Sequence, residues 1–202
     1  MAALRSLCVY CGSQPGTDPA HARAASVLGR MMGESGMNLV YGGGAEGVMG
    51  GGSGAGLVGG GAGAGGIPPL LIAKESNQES LRRLTQTVIT DNMHERKHAM
   101  FERSDAFVAL PGGIGTLEEL IEVMTWSQLG RHEKPIVIAN IGGFWDPLLL
   151  LIDHMRAQGF IHTQVRVRPI VVEDAAQIVP SLLDWASCHP ARSRDDATLS
   201  RL

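Results

Sequence analysis

The sequence predicts an α/β protein built on a doubly wound parallel sheet, and three observations lead to that class. The chain begins in β-α-β order, with strands at Leu4–Tyr10 and Asn38–Tyr41 and a helix at Ala20–Met32 between them. Both strands run into turns of small residues, Cys11-Gly12-Ser13 and Gly42-Gly43-Gly44, as is typical of this class. A length of 202 residues suits one domain with a three-layer core.

The stretch Pro111–Glu119 is the strongest candidate for a ligand site. Ahead of it, Asp105–Leu110 is an apolar run without helical period, which indicates a buried strand. Behind it, apolar residues recur at helical spacing, so we expect a helix at Thr116–Leu129. The glycines between them allow positive φ and the close approach of a ligand. Free N–H groups and the helix dipole then make an anion site, for which phosphate is the usual occupant.

Two acidic residues, Glu118 and Glu119, fall in the predicted first turn of that helix. One interpretation is a capping box, with Thr116 as the N-cap and Glu119 reaching back to its backbone N–H. The other is a nucleotide site, with phosphate on the glycine loop and the ribose over Glu119. Local sequence alone leaves both open.

The segment from Gly42 to Gly66 is unusual, since fifteen of its twenty-five residues are glycine. A connection between parallel strands requires a crossover helix here, yet each interior glycine lowers helix stability by about 1 kcal/mol relative to alanine. Val48–Gly59 is therefore either a weak helix held by tertiary contacts or a flexible linker. Ile67-Pro68 follows as the end of a strand would.

The rest of the chain continues the alternation of strands and helices. Arg96 and Lys97 fall near the start of the predicted helix Met93–Arg103, where the helix dipole disfavours positive charge. Either a salt-bridged surface or an anion site would explain their position. The loop Pro69–Gln78 contains Glu75. The remaining predicted elements are strands at Leu84–Thr90, Lys134–Ala139 and Ile170–Val172, and helices at Met93–Arg103, Leu148–Gln158 and Asp174–Trp185.

Composition excludes several classes of function. A net charge of −3 without a dense basic cluster argues against a nucleic-acid or membrane-surface partner. No apolar run reaches membrane-spanning length and Met1–Arg5 does not resemble a signal peptide, so we expect a cytoplasmic protein. Cys8 and Cys11 form a lone C-x-x-C without further ligands, and we expect no metal. Residues 1–187 are predicted to form one domain and residues 188–202 a disordered tail.

Two motifs together, Met93-His94-Glu95-Arg96-Lys97 and Pro111–Glu119, resemble those of the "Lonely guy" family of cytokinin riboside 5′-monophosphate phosphoribohydrolases, often mislabelled as lysine decarboxylases. The resemblance extends from Cys11-Gly12-Ser13 to Gly159-Phe160-Ile161. It implies a Rossmann-like fold, hydrolysis of the N-glycosidic bond of an adenosine-type 5′-monophosphate without a cofactor, and a homodimer with sites near the subunit interface. Between Met49 and Ile67, where the family has an alanine-rich helix and an apolar strand, this chain has mostly glycine.

The resemblance also implies roles for particular residues. Arg96 and Glu119 would be catalytic: the carboxylate would stabilise positive charge on the ribose or act as a general base, and the guanidinium would orient the nucleotide. The glycine turns after the first two strands are further candidate ligand contacts. The implied substrate-binding residues are Glu75, Arg96, Lys97, Gly112, Gly113, Ile114, Gly115, Thr116, Leu117, Glu118, Glu119 and Thr125, and the further candidates are Gly12, Ser13, Gly42, Gly43 and Gly44.

The main alternative is a non-catalytic nucleotide-binding or cofactor-carrier protein on the same fold. A dehydrogenase is disfavoured because the first glycine turn is not G-x-G-x-x-G. A pyridoxal-phosphate decarboxylase is disfavoured because Lys74, Lys97 and Lys134 lack the context of a Schiff-base lysine.

Overall fold

The computed structural model describes residues 4–42, 93–161 and 168–189, together with the backbone of two further strands at 63–67 and 86–89. These parts contain seven strands and five α-helices in alternating order. The strands are β1 (Ser6–Tyr10), β2 (Asn38–Tyr41), β3 (Gly63–Ile67), β4 (Gln86–Ile89), β5 (Ala106–Ala109), β6 (Ile136–Ala139) and β7 (Ile170–Val172). The helices are α1 (Pro19–Glu34), α2 (Met93–Glu102), α3 (Ile114–Gln128), α4 (Asp146–Ala157) and α5 (Ile178–Cys188).

The seven strands form one parallel sheet in the order β4-β3-β2-β1-β5-β6-β7. The predicted doubly wound parallel sheet is therefore confirmed. The chain moves outward from β1 to β4 and then returns to β5, which pairs with the other side of β1. The order reverses between β1 and β5, and in such sheets ligands bind at this switch point, beyond the carboxyl ends of the strands.

Alternate residues of the central strands feed two separate cores. One side of β1 places Leu7 and Val9 in a cluster with α1 and α5, while the other side places Cys8 and Tyr10 in a cluster with α2, α3 and α4. Every residue of β5 is buried. Burial on both faces is what allows β5 and β6 to be continuous apolar runs, and it gives the predicted three-layer arrangement.

Helix α1 shows how local sequence sets the ends of an element. Asp18 caps its first turn by accepting a hydrogen bond from the Ala20 N–H at 2.7 Å, and Pro19 occupies the first helical position. Beyond its end, Gly36 adopts a φ of +66°. The helix extends to Glu34, two residues past the predicted end at Met32.

Several predicted boundaries differ from those of the structure. Helix α3 begins at Ile114, two residues before the predicted start, and α4 begins at Asp146. The single predicted helix from Asp174 divides into a short 3-10 turn at Ala175–Gln177 and then α5. A strand does end at Ile67, whereas the segment 48–59 lies outside the described residues.

The predicted domain limits stay a prediction, since α5 reaches Cys188 and residues 190–202 lie outside the described part. In the described residues, no helix combines the length and apolar character needed to cross a membrane.

Candidate functional site

The loop after β5 and the loop after β1 touch at the switch point. The Leu110 N–H donates to the Tyr10 carbonyl at 2.9 Å, and the Gly12 N–H donates to the Pro111 carbonyl at 3.1 Å. A Cβ at Gly112 would lie 2.2 Å from Thr116 Oγ1 and 2.7 Å from the Gly12 nitrogen. Position 112 therefore requires glycine because a side chain and a second main chain pack against it.

The start of α3 corrects the predicted capping box. Its N-cap is Gly113, which has no side chain to cap the helix, and Thr116 is a buried residue within the first turn. Glu118 and Glu119 consequently lie in the second turn rather than the first, and no capping box forms because Thr116 lies inside the helix instead of at its N-cap. The α3 N-terminus thus presents main-chain N–H groups without a side-chain cap.

The glycines of this loop also differ from expectation in conformation. Gly112, Gly113 and Gly115 do not adopt positive φ. A Cβ added at Gly113 or Gly115 would meet nothing within 4 Å, so both face open space. Glycine here leaves room beside the helix N-terminus rather than permitting an unusual backbone conformation.

Arg96, on α2, is buried against the end of β2 with only 5% of its surface exposed. Its guanidinium lies directly over Gly42: a Cβ at that glycine would sit 1.8 Å from Nη2. Its Nη1 contacts Met93 Sδ at 3.6 Å, and its Nε has no hydrogen-bond partner within the described part of the chain. A buried cation with unused donor capacity is suited to an anionic or polar ligand.

Glu119, on α3, has a pKa that its surroundings shift into the neutral range. Burial raises its pKa to about 7, against the opposing effect of the Arg96 guanidinium. The carboxylates of Glu118 and Glu122 raise this pKa further and the Lys97 ammonium lowers it. Its negative charge also helps to raise the pKa of Tyr10, at the end of β1, and of Cys11, just after it, although burial is the main cause for both.

Lys97 does not point to an open anion site. Its ammonium donates to Glu118 Oε1 at 2.5 Å and to Glu122 Oε1 at 3.0 Å, and only 10% of its side chain is exposed. Of the two alternatives given above, a salt-bridged surface describes Lys97, which is ion-paired although its own side chain is largely covered. Glu122 was missed by sequence reasoning, although its i, i+4 spacing from Glu118 on α3 was visible.

The other predicted site residues divide into three groups. Gly12, Gly112 and Gly42 lie at the carboxyl ends of β1, β5 and β2 respectively, on the edge that carries the switch point. Thr125 is exposed on α3 and its hydroxyl donates to the Ile121 carbonyl at 2.7 Å. Ser13, Ile114 and Leu117 are exposed or half-buried, and Glu75, Gly43 and Gly44 lie outside the described residues.

Among the described residues, no group of three or more His, Cys, Asp and Glu side chains is arranged to hold a metal ion. Cys8 and Cys11 are both buried free thiols. The fold and the site together define a Rossmann-like α/β protein that places a buried arginine, a half-buried carboxylate and an uncapped helix N-terminus around one switch point.

Comparison with known proteins identifies the family. A family model described as possible lysine decarboxylase matches residues 49–182. The chain is 44% identical over 181 residues to the cytokinin riboside 5′-monophosphate phosphoribohydrolase LOG of Oryza sativa, covering 90% of this chain and 74% of that protein. It is 42% identical over 183 residues to the phosphoribohydrolase LOG4 of Arabidopsis thaliana, covering 91% and 84%. The chain belongs to this family, the Lonely guy family that its motifs resemble.

Solved structures share the fold at much lower identity. The Moco carrier protein of Chlamydomonas reinhardtii superposes with a TM-score of 0.68 at 18% identity, covering 92% of this chain and 99% of that one. The molybdenum cofactor binding protein of Rippkaea orientalis superposes with a TM-score of 0.66 at 17% identity, with the same coverage. At such identities the likeness establishes the Rossmann-like fold alone.

Proposed function

We propose that this protein hydrolyses the N-glycosidic bond of a nucleoside 5′-monophosphate, releasing the free base and ribose 5-phosphate. The curated relatives carry the name of this activity on cytokinin riboside 5′-monophosphates. The observation that carries the proposal is that the buried Arg96 cation acts on the half-buried Glu119 carboxylate, lowering its pKa, while Glu119 stands on the helix whose N-terminus has no side-chain cap. The substrate is either a cytokinin nucleotide or AMP.

The 5′-phosphate would bind at the N-terminus of α3. The main-chain N–H groups there have no side-chain cap, Gly113 and Gly115 leave the space beside them open, and the helix dipole favours an anion. Binding energy gained at the phosphate, away from the reacting bond, would hold the ribose against Glu119. This explains why a monophosphate would be preferred to a nucleoside.

Glu119 would act on the sugar. As the bond between C1′ and the base nitrogen breaks, its electron pair leaves with the base and positive charge develops on the ribose ring. An ionised Glu119 stabilises that charge and accepts a proton from the water whose oxygen bonds to C1′. The departing base takes up a proton from solvent, and Glu119 returns the proton it accepted to solvent. A pKa of about 7 suits a group that must be partly ionised and still basic near neutrality.

Arg96 would remain charged throughout, because a guanidinium does not lose its proton in proteins. Its proposed role is to orient the nucleotide and hold Glu119 in its ionised form, an effect already visible in the lowering of the Glu119 pKa by this cation. The nearby thiol of Cys11 is not a candidate nucleophile, since burial raises its pKa to about 12 and keeps it protonated.

The test is to incubate the purified protein with AMP and with isopentenyladenosine monophosphate, and to separate the products by chromatography. Adenine or isopentenyladenine should appear together with ribose 5-phosphate, and adenosine should react far more slowly because it lacks the phosphate. The nucleotide with the higher kcat/KM shows whether the substrate class is a cytokinin nucleotide or AMP. Absence of both free bases at micromolar enzyme contradicts the proposal.

The predicted homodimer is also a proposal. Apolar side chains stand exposed along the outer face of α3, among them Ile121 at 37% and Leu129 at 69%. A second copy would cover them close to the site. Light scattering coupled to size exclusion should give twice the 21.4 kDa mass of one chain, and Leu129→Glu should shift it to the monomer mass. A monomeric wild type contradicts the proposal. Cytoplasmic location stays a prediction.

A further inference from the structure

Lys97 joins the two helices that carry the proposed catalytic pair. It follows Arg96 directly on α2, and its two partners, Glu118 and Glu122, flank Glu119 on α3. The ammonium lies 2.5 Å and 3.0 Å from one carboxylate oxygen of each partner. Because the partners are one helical turn apart, the two contacts tie α2 to successive turns of α3.

Burial makes these contacts more consequential than an ordinary surface ion pair. The Lys97 side chain is 10% exposed, while those of Glu118 and Glu122 are 54% and 24% exposed. Desolvation lowers the pKa of Lys97, but the hydrogen bonds that its ammonium donates to both carboxylates raise this pKa by more, so the ammonium stays charged. A charged side chain held in place by two short contacts has little freedom to turn to a ligand.

The charges also argue against Lys97 as a phosphate ligand. Two of its three donors are already directed at carboxylates, and the group of one cation and two anions carries a net negative charge. Such a group repels a phosphate rather than attracting it.

We propose that Lys97 is a positioning residue that ties α2 to α3 and so fixes the relative placement of Arg96 and Glu119. This inference rests on the proposed function and deepens it. The groups that interact electrostatically with Glu119 are Arg96 and Lys97 from α2, Glu118 and Glu122 from α3, Cys8 and Tyr10 from β1, and Cys11 just after β1. Without Lys97, two of the neighbouring carboxylates would lose their counter-charge.

The experiment compares Lys97→Met, Lys97→Arg and the matched surface control Arg30→Met, whose exposed pair with Glu34 lies on α1 far from α3 in sequence. Lys97→Met should lower kcat for AMP at pH 7 by roughly tenfold or more, since positioning is lost. It should also move the acid limb of kcat/KM upward by about one pH unit, because a cation that favours ionised Glu119 is gone. KM should change less than threefold. Lys97→Arg should restore most of kcat, and Arg30→Met should change neither parameter.

Three results would overturn the inference: a rise in KM at constant kcat, which is the behaviour of a phosphate ligand; an unmoved acid limb; or no effect of Lys97→Met at all. Glu122→Gln supplies an independent check should Lys97→Met fold poorly. It keeps the cation and removes an anion, so the acid limb must move downward.

A measurement that needs no turnover separates this inference from the proposed function. The ionisation of Glu119 can be followed in the free protein by carboxyl ¹³C NMR with glutamate labelling, assigned with Glu119→Gln. Lys97→Met should raise that pKa and Glu122→Gln should lower it. If the wild type releases no base but these shifts occur, the hydrolase proposal fails and the positioning contact stands. If hydrolysis occurs without the shifts, the positioning contact fails.

Discussion

Replacing Gly42 with alanine should disable the site through Arg96. The φ of Gly42 is not positive, so alanine suits the backbone there. The added Cβ, however, would lie 1.8 Å from Nη2 and 2.9 Å from Cζ of the Arg96 guanidinium, whereas ordinary contact begins at 3.4 Å. The guanidinium must retreat by roughly 1.5 Å, and a misplacement of that size costs on the order of 10²-fold in kcat.

The assay is a double-mutant cycle on AMP hydrolysis with Gly42→Ala and Arg96→Ala. If Gly42 acts by seating Arg96, Gly42→Ala lowers kcat in the wild type and has little further effect in the Arg96→Ala background. Urea unfolding of the same variants should show that Gly42→Ala costs about 1–3 kcal/mol at most, so the protein remains folded. Full activity of Gly42→Ala, or an equal loss in both backgrounds, would refute the reasoning and return Gly42 to a direct ligand contact.

Three further predictions concern stability. Because the pKa of Glu119 is about 7 in the folded state and near 4.5 in the unfolded state, the folded state holds an extra proton between these pH values. The free energy of unfolding of the wild type should therefore fall by up to about 3 kcal/mol relative to that of Glu119→Gln as pH rises from 5 to 8. A difference that stays constant with pH in urea unfolding contradicts this. Burial lowers the pKa of His132, whose neutral ring forms hydrogen bonds with the Val123 carbonyl and the Lys134 N–H. His132→Gln should therefore lower the free energy of unfolding by about 1–3 kcal/mol at pH 8 and by less at pH 5, where protonation of His132 already destabilises the wild type. An equal loss at both pH values contradicts this. Gly112→Ala should lower the free energy of unfolding by about 1–3 kcal/mol, because the added Cβ would clash with Thr116. Gly113→Ala should change it by no more than about 0.5 kcal/mol, because its Cβ would have no neighbour within 4 Å. Equal thermal unfolding temperatures of the two variants would contradict the geometry.

Sequence periodicity predicted the sheet well because its signal is local. Continuous apolar runs such as that at β5 indicate strands buried on both faces, and glycine turns after strands indicate parallel connections. The strand order was not readable in the same way, because the pairing of β1 with both β2 and β5 depends on contacts across the whole chain.

The start of α3 was misplaced for a local reason. Ile114 is 84% exposed and adds nothing to the apolar period, so Gly113-Ile114-Gly115 resembled a loop and the helix was assigned from Thr116. That two-residue error put Glu119 within reach of a capping box which the structure does not contain.

The surroundings of Arg96 and Lys97 could not be derived from neighbouring residues. Gly42, which seats Arg96, is 54 positions away in sequence, and the partners of Lys97 are 21 and 25 positions away. Two adjacent cations at a helix start therefore looked alike. Tertiary structure gives them different environments. The Arg96 guanidinium lies at the end of β2, and its Nε has no hydrogen-bond partner among the described residues, whereas the Lys97 ammonium lies between two carboxylates.

The most direct measurement is a crystal structure of Glu119→Gln soaked with AMP, an inert enzyme in which the nucleotide should survive. The phosphate should accept hydrogen bonds from main-chain N–H groups at the start of α3, with the ribose facing residue 119 and the Arg96 guanidinium touching the nucleotide. A phosphate bound elsewhere, or a ribose turned away from residue 119, would contradict the account.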